Sequence, residues 1–264
     1  MKTGDKLQII TKNLCKEAKV QKIKEIKNEQ VTGSLATLDI DGFGKGLDFW
    51  YPDGDILPQA YQSRSNRSFI PTEYTYKQPG DFEWNLYGEN TEPQKKIVNA
   101  FITNFELFNR QGRGLYISSP ETGSGKTLLA CILGNEIMKR YDSSVKFINT
   151  IDYMELLRDK SEEIQEKKKA IKDCTVLIYD NIGDDSCKKD WIQSSILHLI
   201  DYREKRFLPI IYTSIYAADQ LSIESRIVDR IISNSIEIRL PKVNIRRLKA
   251  EKENKDFIKS ILVD

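Results

Sequence analysis

The stretch that decides the fold is residues 115–130, which read LYISSPETGSGKTLLA. Residues 115–118 are a short apolar run typical of a buried strand, and the residues from Lys126 onward have the spacing of a helix. The loop between them contains Gly123 and Gly125, which allow successive backbone N–H groups to turn inward. A strand, a glycine-rich turn and a helix N-terminus in this order predict a binding site for phosphate groups.

The predicted nucleotide-binding residues are the eight consecutive residues of this loop and its helix start: Pro120, Glu121, Thr122, Gly123, Ser124, Gly125, Lys126 and Thr127. In a P-loop the lysine reaches the β- and γ-phosphates, and the following hydroxyl binds Mg²⁺. The strict pattern begins with glycine where this chain has Pro120, whose fixed φ is compatible with a turn. We therefore expect ATP and Mg²⁺ as cofactors.

A second carboxylate for the metal site is expected from residues 176–180, VLIYD, an apolar strand that ends in Asp180. We assign Asp180 both a metal-binding and a catalytic role. The next residue, Asn181, is the second catalytic candidate, but its amide cannot accept a proton as a carboxylate would, so hydrolysis is expected to be slow. Asp184 and Asp185 either replace that carboxylate or are solvated turn residues.

Strands and helices alternate along most of the chain. After a helix that begins near Thr91, apolar strand patterns at 115–118, 145–149, 175–179, 209–213 and 235–240 alternate with helical ones. This rhythm predicts an α/β fold with a parallel sheet covered on both faces. We divide the chain into an N-terminal partner-binding region and linker (1–90), an ATPase domain (91–248) and a C-terminal helix (249–264).

The N-terminal region is less informative. Leu7, Ile10, Leu14 and Ala18 lie on one helical stripe, so an amphipathic helix is predicted over 7–28. It either binds a partner or packs on its own domain. Residues 36–40 alternate like a short strand, and residues 41–90 have the composition of an irregular linker.

Composition sets limits on the partners and the compartment. Lys and Arg number 41 against 39 Asp and Glu, so the net charge of +2 neither demands nor excludes nucleic acid. The four cysteines are scattered without a C-x-x-C pair, which argues against a zinc module or a disulfide framework. No apolar run approaches the roughly 20 residues of a membrane span. We expect a cytoplasmic protein without a membrane partner.

Further motifs follow the P-loop. Residues 179–185 read YDNIGDD and precede Trp191, residues 209–215 read PIIYTSI, residues 226–231 read RIVDRI, and residues 244–247 read NIRR. With the P-loop, these patterns over residues 92–248 resemble the DnaC/DnaI-type helicase loaders of the AAA+ ATPases and the related transposase-helper ATPases. The resemblance implies a P-loop AAA+ three-layer fold.

The resemblance also implies roles for individual residues. Arg230 matches the arginine finger, which reaches the nucleotide of a neighbouring subunit and so implies a homo-oligomer with ATP at its interfaces. The alternative is that Arg226 and Arg230 are solvated or paired with Glu224 and Asp229. Arg246 matches the sensor-2 arginine, with Arg247 as its neighbour. The family's sensor asparagine is replaced by Ile215, for which Thr213 or Ser214 would substitute only in part.

By this resemblance the chain is an ATPase that loads a hexameric replicative helicase onto single-stranded DNA during replication initiation. Two alternatives remain open. A transposase-helper ATPase would bind duplex DNA and a transposase, and an ATP-binding adaptor would hydrolyse little or no ATP.

Overall fold

The computed structural model describes residues 6–11, 14–27, 32–40, 44–52 and 59–262. Contacts divide the chain into two compact units, residues 1–66 and residues 67–264. Within the described residues, no helix is both long enough and apolar enough to cross a membrane.

The first unit contains an antiparallel sheet of four strands in chain order, followed by helix α1 (Gln59–Asn66): β1 (Lys6–Thr11), β2 (Leu14–Lys27), β3 (Thr32–Ile40) and β4 (Gly44–Pro52). The predicted strand at 36–40 is confirmed as part of β3. The helix predicted over 7–28 is wrong, because β1 and β2 occupy its described residues; residues 12, 13 and 28 lie outside them. Apolar residues pair across these strands, as Val20 does with Leu38, and that long-range pairing overrides the helical spacing.

The second unit contains the following helices and strands: α2 (Glu92–Thr103), α3 (Phe105–Arg110), β5 (Gly114–Ser118), α4 (Lys126–Arg140), β6 (Val145–Asn149), α5 (Thr150–Arg158), α6 (Glu162–Asp173), β7 (Val176–Asp180), α7 (Asp190–Glu204), β8 (Ile210–Ser214), α8 (Ser225–Asn234), β9 (Ser235–Arg239) and α9 (Ile245–Leu262). The predicted alternation of strands and helices is confirmed.

The five strands form a parallel sheet in the order β6-β7-β8-β5-β9. Helices cover both of its faces. On β7, Ile178 faces Gly134 of α4, whereas Leu177 and Tyr179 belong to the apolar cluster that contains α7 and α8. Because successive strand residues alternate between faces, Asp180 follows Ile178 onto the α4 side. This places the carboxylate beside the first turn of α4.

Three boundaries differ from those predicted. The second unit begins at Arg67, since residues that were predicted as linker, among them Phe82 and Tyr87, are buried in it. The charged segment before β7, whose spacing indicates one helix ending near residue 172, forms two helices, α5 and α6. Helix α9 begins at Ile245, four residues before the predicted 249, and this brings Arg246 onto its first turn.

Candidate nucleotide site

The loop between β5 and α4 has the conformation that its glycines allow. Gly123 and Gly125 have φ values of 66° and 94°, in the left-handed region that other residues rarely adopt. Space is also limiting, because a Cβ added at Gly123 would lie 2.6 Å from Oδ1 of Asn244. The backbone turn therefore favours glycine at both positions, and at Gly123 the close approach of the segment before α9 also excludes a side chain.

An aromatic cluster supports the loop from behind. Phe82 lies against Gly125, and the hydroxyl of Tyr87 donates a 2.5 Å hydrogen bond to the carbonyl oxygen of Ser124. Trp84 packs edge-on against Phe82, with ring centroids 4.5 Å apart. The loop is thus held in shape by residues from a segment that sequence patterns indicated only as a linker.

Lys126 is buried, with 7% of its surface exposed. Its ammonium donates hydrogen bonds to the carbonyl oxygens of Ser119 (3.2 Å) and Glu121 (2.9 Å) and to the hydroxyl of Ser124 (3.3 Å). Burial lowers the pKa of Lys126, while the charge of Asp180 opposes that shift. The lysine is held by its own loop and faces the cavity, so phosphate oxygens can replace these acceptors.

Asp180 lies at the end of β7, also 7% exposed. Its Oδ1 accepts hydrogen bonds from the hydroxyls of Thr127 (2.8 Å) and Thr213 (2.6 Å). Burial raises the pKa of the Asp180 carboxyl, and the two hydroxyl donors oppose this. The hydroxyl and carboxylate oxygens form the donor set that Mg²⁺ prefers, so Thr127 and Asp180 fit the predicted metal site.

Asn181 follows with a φ of 58°, a left-handed conformation that asparagine tolerates better than most residues, and it lines the cavity. Neither of the two nearby acids does so. Asp184 accepts a 2.8 Å hydrogen bond from the backbone N–H of Ser186, and Asp185 is exposed and paired with Lys188 at 2.7 Å. Both therefore serve as turn and surface residues.

The cavity beside the loop has a volume of about 410 Å³. Arg246 lines it and is tied to the loop, because its backbone N–H donates a 3.0 Å hydrogen bond to the carbonyl oxygen of Gly123. Loop residues 122–128 form one wall, and the other lining residues include Glu73, Tyr74, Asn181, Ile215, Arg246 and Lys249. The fold thus brings the P-loop, Asn181 and Arg246 together around one cavity. Asp180 joins this group through its hydrogen bond from Thr127 of the P-loop.

Arg230 lies apart from this cavity. It forms ion pairs with Asp201 and with Glu204 (3.2 Å), both near the end of α7, and its side chain is 32% exposed. These acids are not the expected Glu224 and Asp229, and Glu224 forms an ion pair with Arg226. A finger acts on the neighbouring subunit, so the assignment of that role to Arg230 stays a prediction.

A larger cleft, about 540 Å³, lies between α5, α6 and α7 and is lined by residues such as Tyr153, Lys172 and Tyr202. It contains no glycine-rich turn, and Lys172 already stacks on the Tyr202 ring at 3.9 Å. We therefore place the nucleotide site at the smaller cavity, where backbone N–H groups and a helix N-terminus converge.

Sequence patterns did not predict four residues that contribute to this site: Glu73, Tyr74, Phe82 and Tyr87. The burial of Tyr74 and its contacts with Glu73 raise the pKa of the tyrosine to about 12. The one available signal was the dense aromatic spacing of residues 82–87, FEWNLY, in a segment otherwise rich in polar residues.

The sequence of this chain is similar to those of known ATP binding proteins. Residues 82–249 match the family model of the IstB-like ATP binding proteins. The replicative helicase loader DnaI of Bacillus subtilis is 22% identical over 191 residues, covering 67% of this chain and 58% of that protein. The global transcriptional regulator CodY of Bacillus cereus is 26% identical over 158 residues, covering 58% and 54%. The chain thus spans less than two thirds of the length of these curated relatives.

Solved structures share the fold. A putative primosome component from Streptococcus pyogenes superposes with a TM-score of 0.56 at 22% identity, covering 70% of this chain and 98% of that chain. The replication initiator DnaA bound to AMPPCP and single-stranded DNA superposes with a TM-score of 0.55 at 22% identity, covering 72% and 57%. With its P-loop, its parallel sheet and the matched residues 82–249, this chain belongs to the family of IstB-like ATP binding proteins and has the P-loop AAA+ fold that its sequence predicted.

Proposed function

We propose that this protein is a Mg²⁺-dependent ATPase of slow turnover that loads a hexameric replicative helicase onto single-stranded DNA during replication initiation. The observation that carries the ATPase proposal is the convergence of Lys126, the Thr127–Asp180 pair and Arg246 on one cavity. The likeness to the DnaI helicase loader supports the loading role.

The phosphates lie, in this proposal, against the backbone N–H groups of residues 122–127 and the N-terminus of α4. Lys126 exchanges its bonds to Ser119 and Glu121 for bonds to the β- and γ-phosphate oxygens. Thr127 donates its hydroxyl hydrogen bond to Asp180, which leaves a lone pair of the hydroxyl oxygen to face the cavity, where Mg²⁺ would be held. When bound, Mg²⁺ neutralises developing charge on the phosphates.

Slow turnover follows from Asn181. In this position an amide orients water by hydrogen bonding but takes no proton from it, and neither Asp184 nor Asp185 lines the cavity. Arg246 supplies charge from within the chain, and Arg230 is the candidate to supply it to a neighbouring subunit. Oligomerisation is therefore part of the proposal.

The test is ATP turnover by the full chain and its Lys126→Ala variant, each with and without single-stranded DNA and a hexameric replicative helicase from the same organism. We expect turnover that depends on Lys126 and changes when helicase or DNA is added. Turnover that ignores both additions would count against loading while leaving the ATPase intact.

Nucleotide binding without turnover would instead favour an ATP-binding adaptor, in line with Asn181 and Ile215 in the positions of the usual catalytic and sensor residues. Absence of nucleotide binding would contradict the whole proposal. Fluorescent ATP binding to wild type and Lys126→Ala separates these two outcomes without any partner present.

A transposase-helper ATPase is the second candidate, favoured by the IstB-like family model that the chain matches. The two roles differ in their DNA partner. Turnover stimulated by duplex DNA alone, with no response to helicase or single-stranded DNA, would support the helper over the loader.

A further inference from the structure

Thr213 is a fully buried hydroxyl residue beside the metal-binding carboxylate. The parallel register that pairs Tyr179 with Tyr212 sets the next residues, Asp180 and Thr213, side by side on one face of the sheet. The Thr213 hydroxyl donates to Oδ1 of Asp180 at 2.6 Å. Thr213 thus contacts the site through Asp180 and does not itself line the cavity.

The direction of each hydrogen bond is fixed. A hydroxyl has a single proton to donate. Because a carboxylate only accepts hydrogen bonds, Thr213 is the donor in its hydrogen bond to Asp180. Its lone pair accepts the backbone N–H of Asn181 at 3.0 Å. One side chain therefore holds both the carboxylate and the left-handed backbone of the following residue.

The next two residues of the chain, Ser214 and Ile215, cannot replace Thr213 in this role. The hydroxyl of Ser214 donates to the carbonyl oxygen of Ile182 at 2.7 Å and accepts the N–H of Tyr216 at 3.1 Å, so it points away from Asp180. Ile215 lines the cavity but offers no polar group.

We propose that Thr213 is a positioning residue that holds Asp180 and Asn181 in the arrangement required for a magnesium-bound nucleotide. The inference rests on the proposed function. Losing the hydroxyl leaves Oδ1 of Asp180 with one donor and the Asn181 N–H without its acceptor, so the carboxylate and the backbone turn both lose their orientation.

The experiment uses Thr213→Ser and Thr213→Ala, which lack the same methyl group and differ only in the hydroxyl. Affinity for a fluorescent ATP analogue is measured in excess Mg²⁺ and in EDTA. We expect Mg²⁺ to strengthen binding to wild type and Thr213→Ser alike, and this enhancement to fall about tenfold in Thr213→Ala, the size expected for one lost bond to a charged group. Binding in EDTA should be the same for all three proteins.

An equal Mg²⁺ enhancement in all three proteins would overturn the positioning role while leaving the nucleotide site intact. Failure of wild type to bind the analogue in either buffer would overturn the proposed function and this inference with it. Should circular dichroism show that Thr213→Ala does not fold, Thr213→Val, which keeps the shape of threonine, is compared with wild type by the same criterion.

Discussion

Lys126 and Arg203 are both buried cations of this domain, and they lie at opposite ends of the strands of one sheet. Lys126 lies past the carboxyl end of β5, and Arg203 lies at the amino ends of β7 and β8, fully buried. Burial lowers the pKa of both side chains. Arg203 donates to the carbonyl oxygens of Ile171, Lys172, Cys174, Thr175 and Pro209. Its acceptors are backbone carbonyl oxygens near the ends of α6, β7 and β8, whereas the side chain of Lys126 lines the cavity of the nucleotide site.

Burial of a charge does not by itself mark a functional site, because Arg203 is buried among structural acceptors. A buried cation serves structure when its acceptors belong to strand and helix ends that no ligand reaches. It serves binding when a ligand can take over its acceptors.

The largest effect is expected from Arg203→Met. Removing the guanidinium leaves several buried carbonyl oxygens without a donor, so the free energy of unfolding should fall by about 3–5 kcal/mol. Urea denaturation measures it. Arg206→Met, an exposed position on the same turn, is the control and should cost under about 1 kcal/mol. Equal losses at the two positions would contradict the structural role of Arg203.

Lys126→Ala should show the reverse pattern. ATP affinity should fall about a hundredfold, because two charge-assisted bonds to phosphate are lost, while the midpoint of urea unfolding changes little. Fluorescent nucleotide titration and denaturation of the same sample measure both. Lys139→Ala, at the other end of α4, is the matched control. A large loss of stability without loss of affinity would place Lys126 with Arg203 as structural.

Asn181→Asp tests whether a general base is the only group that the cavity lacks for faster ATP hydrolysis. Aspartate has the shape of asparagine and tolerates the same left-handed backbone, so turnover should rise about tenfold or more with nucleotide affinity nearly unchanged. Phosphate release assays measure the rate. Asp184→Asn and Asp185→Asn should leave turnover unchanged, and a fall in either would restore that acid as the base.

A small effect on stability is expected at Arg230, whose ion pairs with Asp201 and Glu204 are partly exposed. Arg230→Ala should cost about 1 kcal/mol of unfolding free energy, and less in high salt. If Arg230 is also the finger, this variant should lose turnover while retaining nucleotide affinity. Mixing it with Lys126→Ala should then restore some activity at mixed interfaces. No recovery would leave Arg230 a structural residue.

Sequence patterns predicted the second unit well because its elements are decided locally. The helical spacing gave the start of α4 at Lys126, and the apolar runs gave all five strands within one residue. In the first unit only the strand at 36–40 was predicted, because the apolar spacing of residues 7–28 suits a helix as well as a strand. Pairing with β3 decides between them, and it depends on residues distant in the chain.

The sequence by itself determined the parallel sheet, the P-loop and the residues Lys126, Thr127 and Asp180, because a glycine-rich turn between a strand and a helix has few other uses. Tertiary structure alone decided what surrounds them. It placed Phe82 and Tyr87 behind the loop, fixed the direction of the Thr213 bonds, tied Arg230 to α7 and left Asp184 and Asp185 outside the cavity. The physical reason is that these contacts join residues from different elements, and only packing of the sheet and its helices sets their distances.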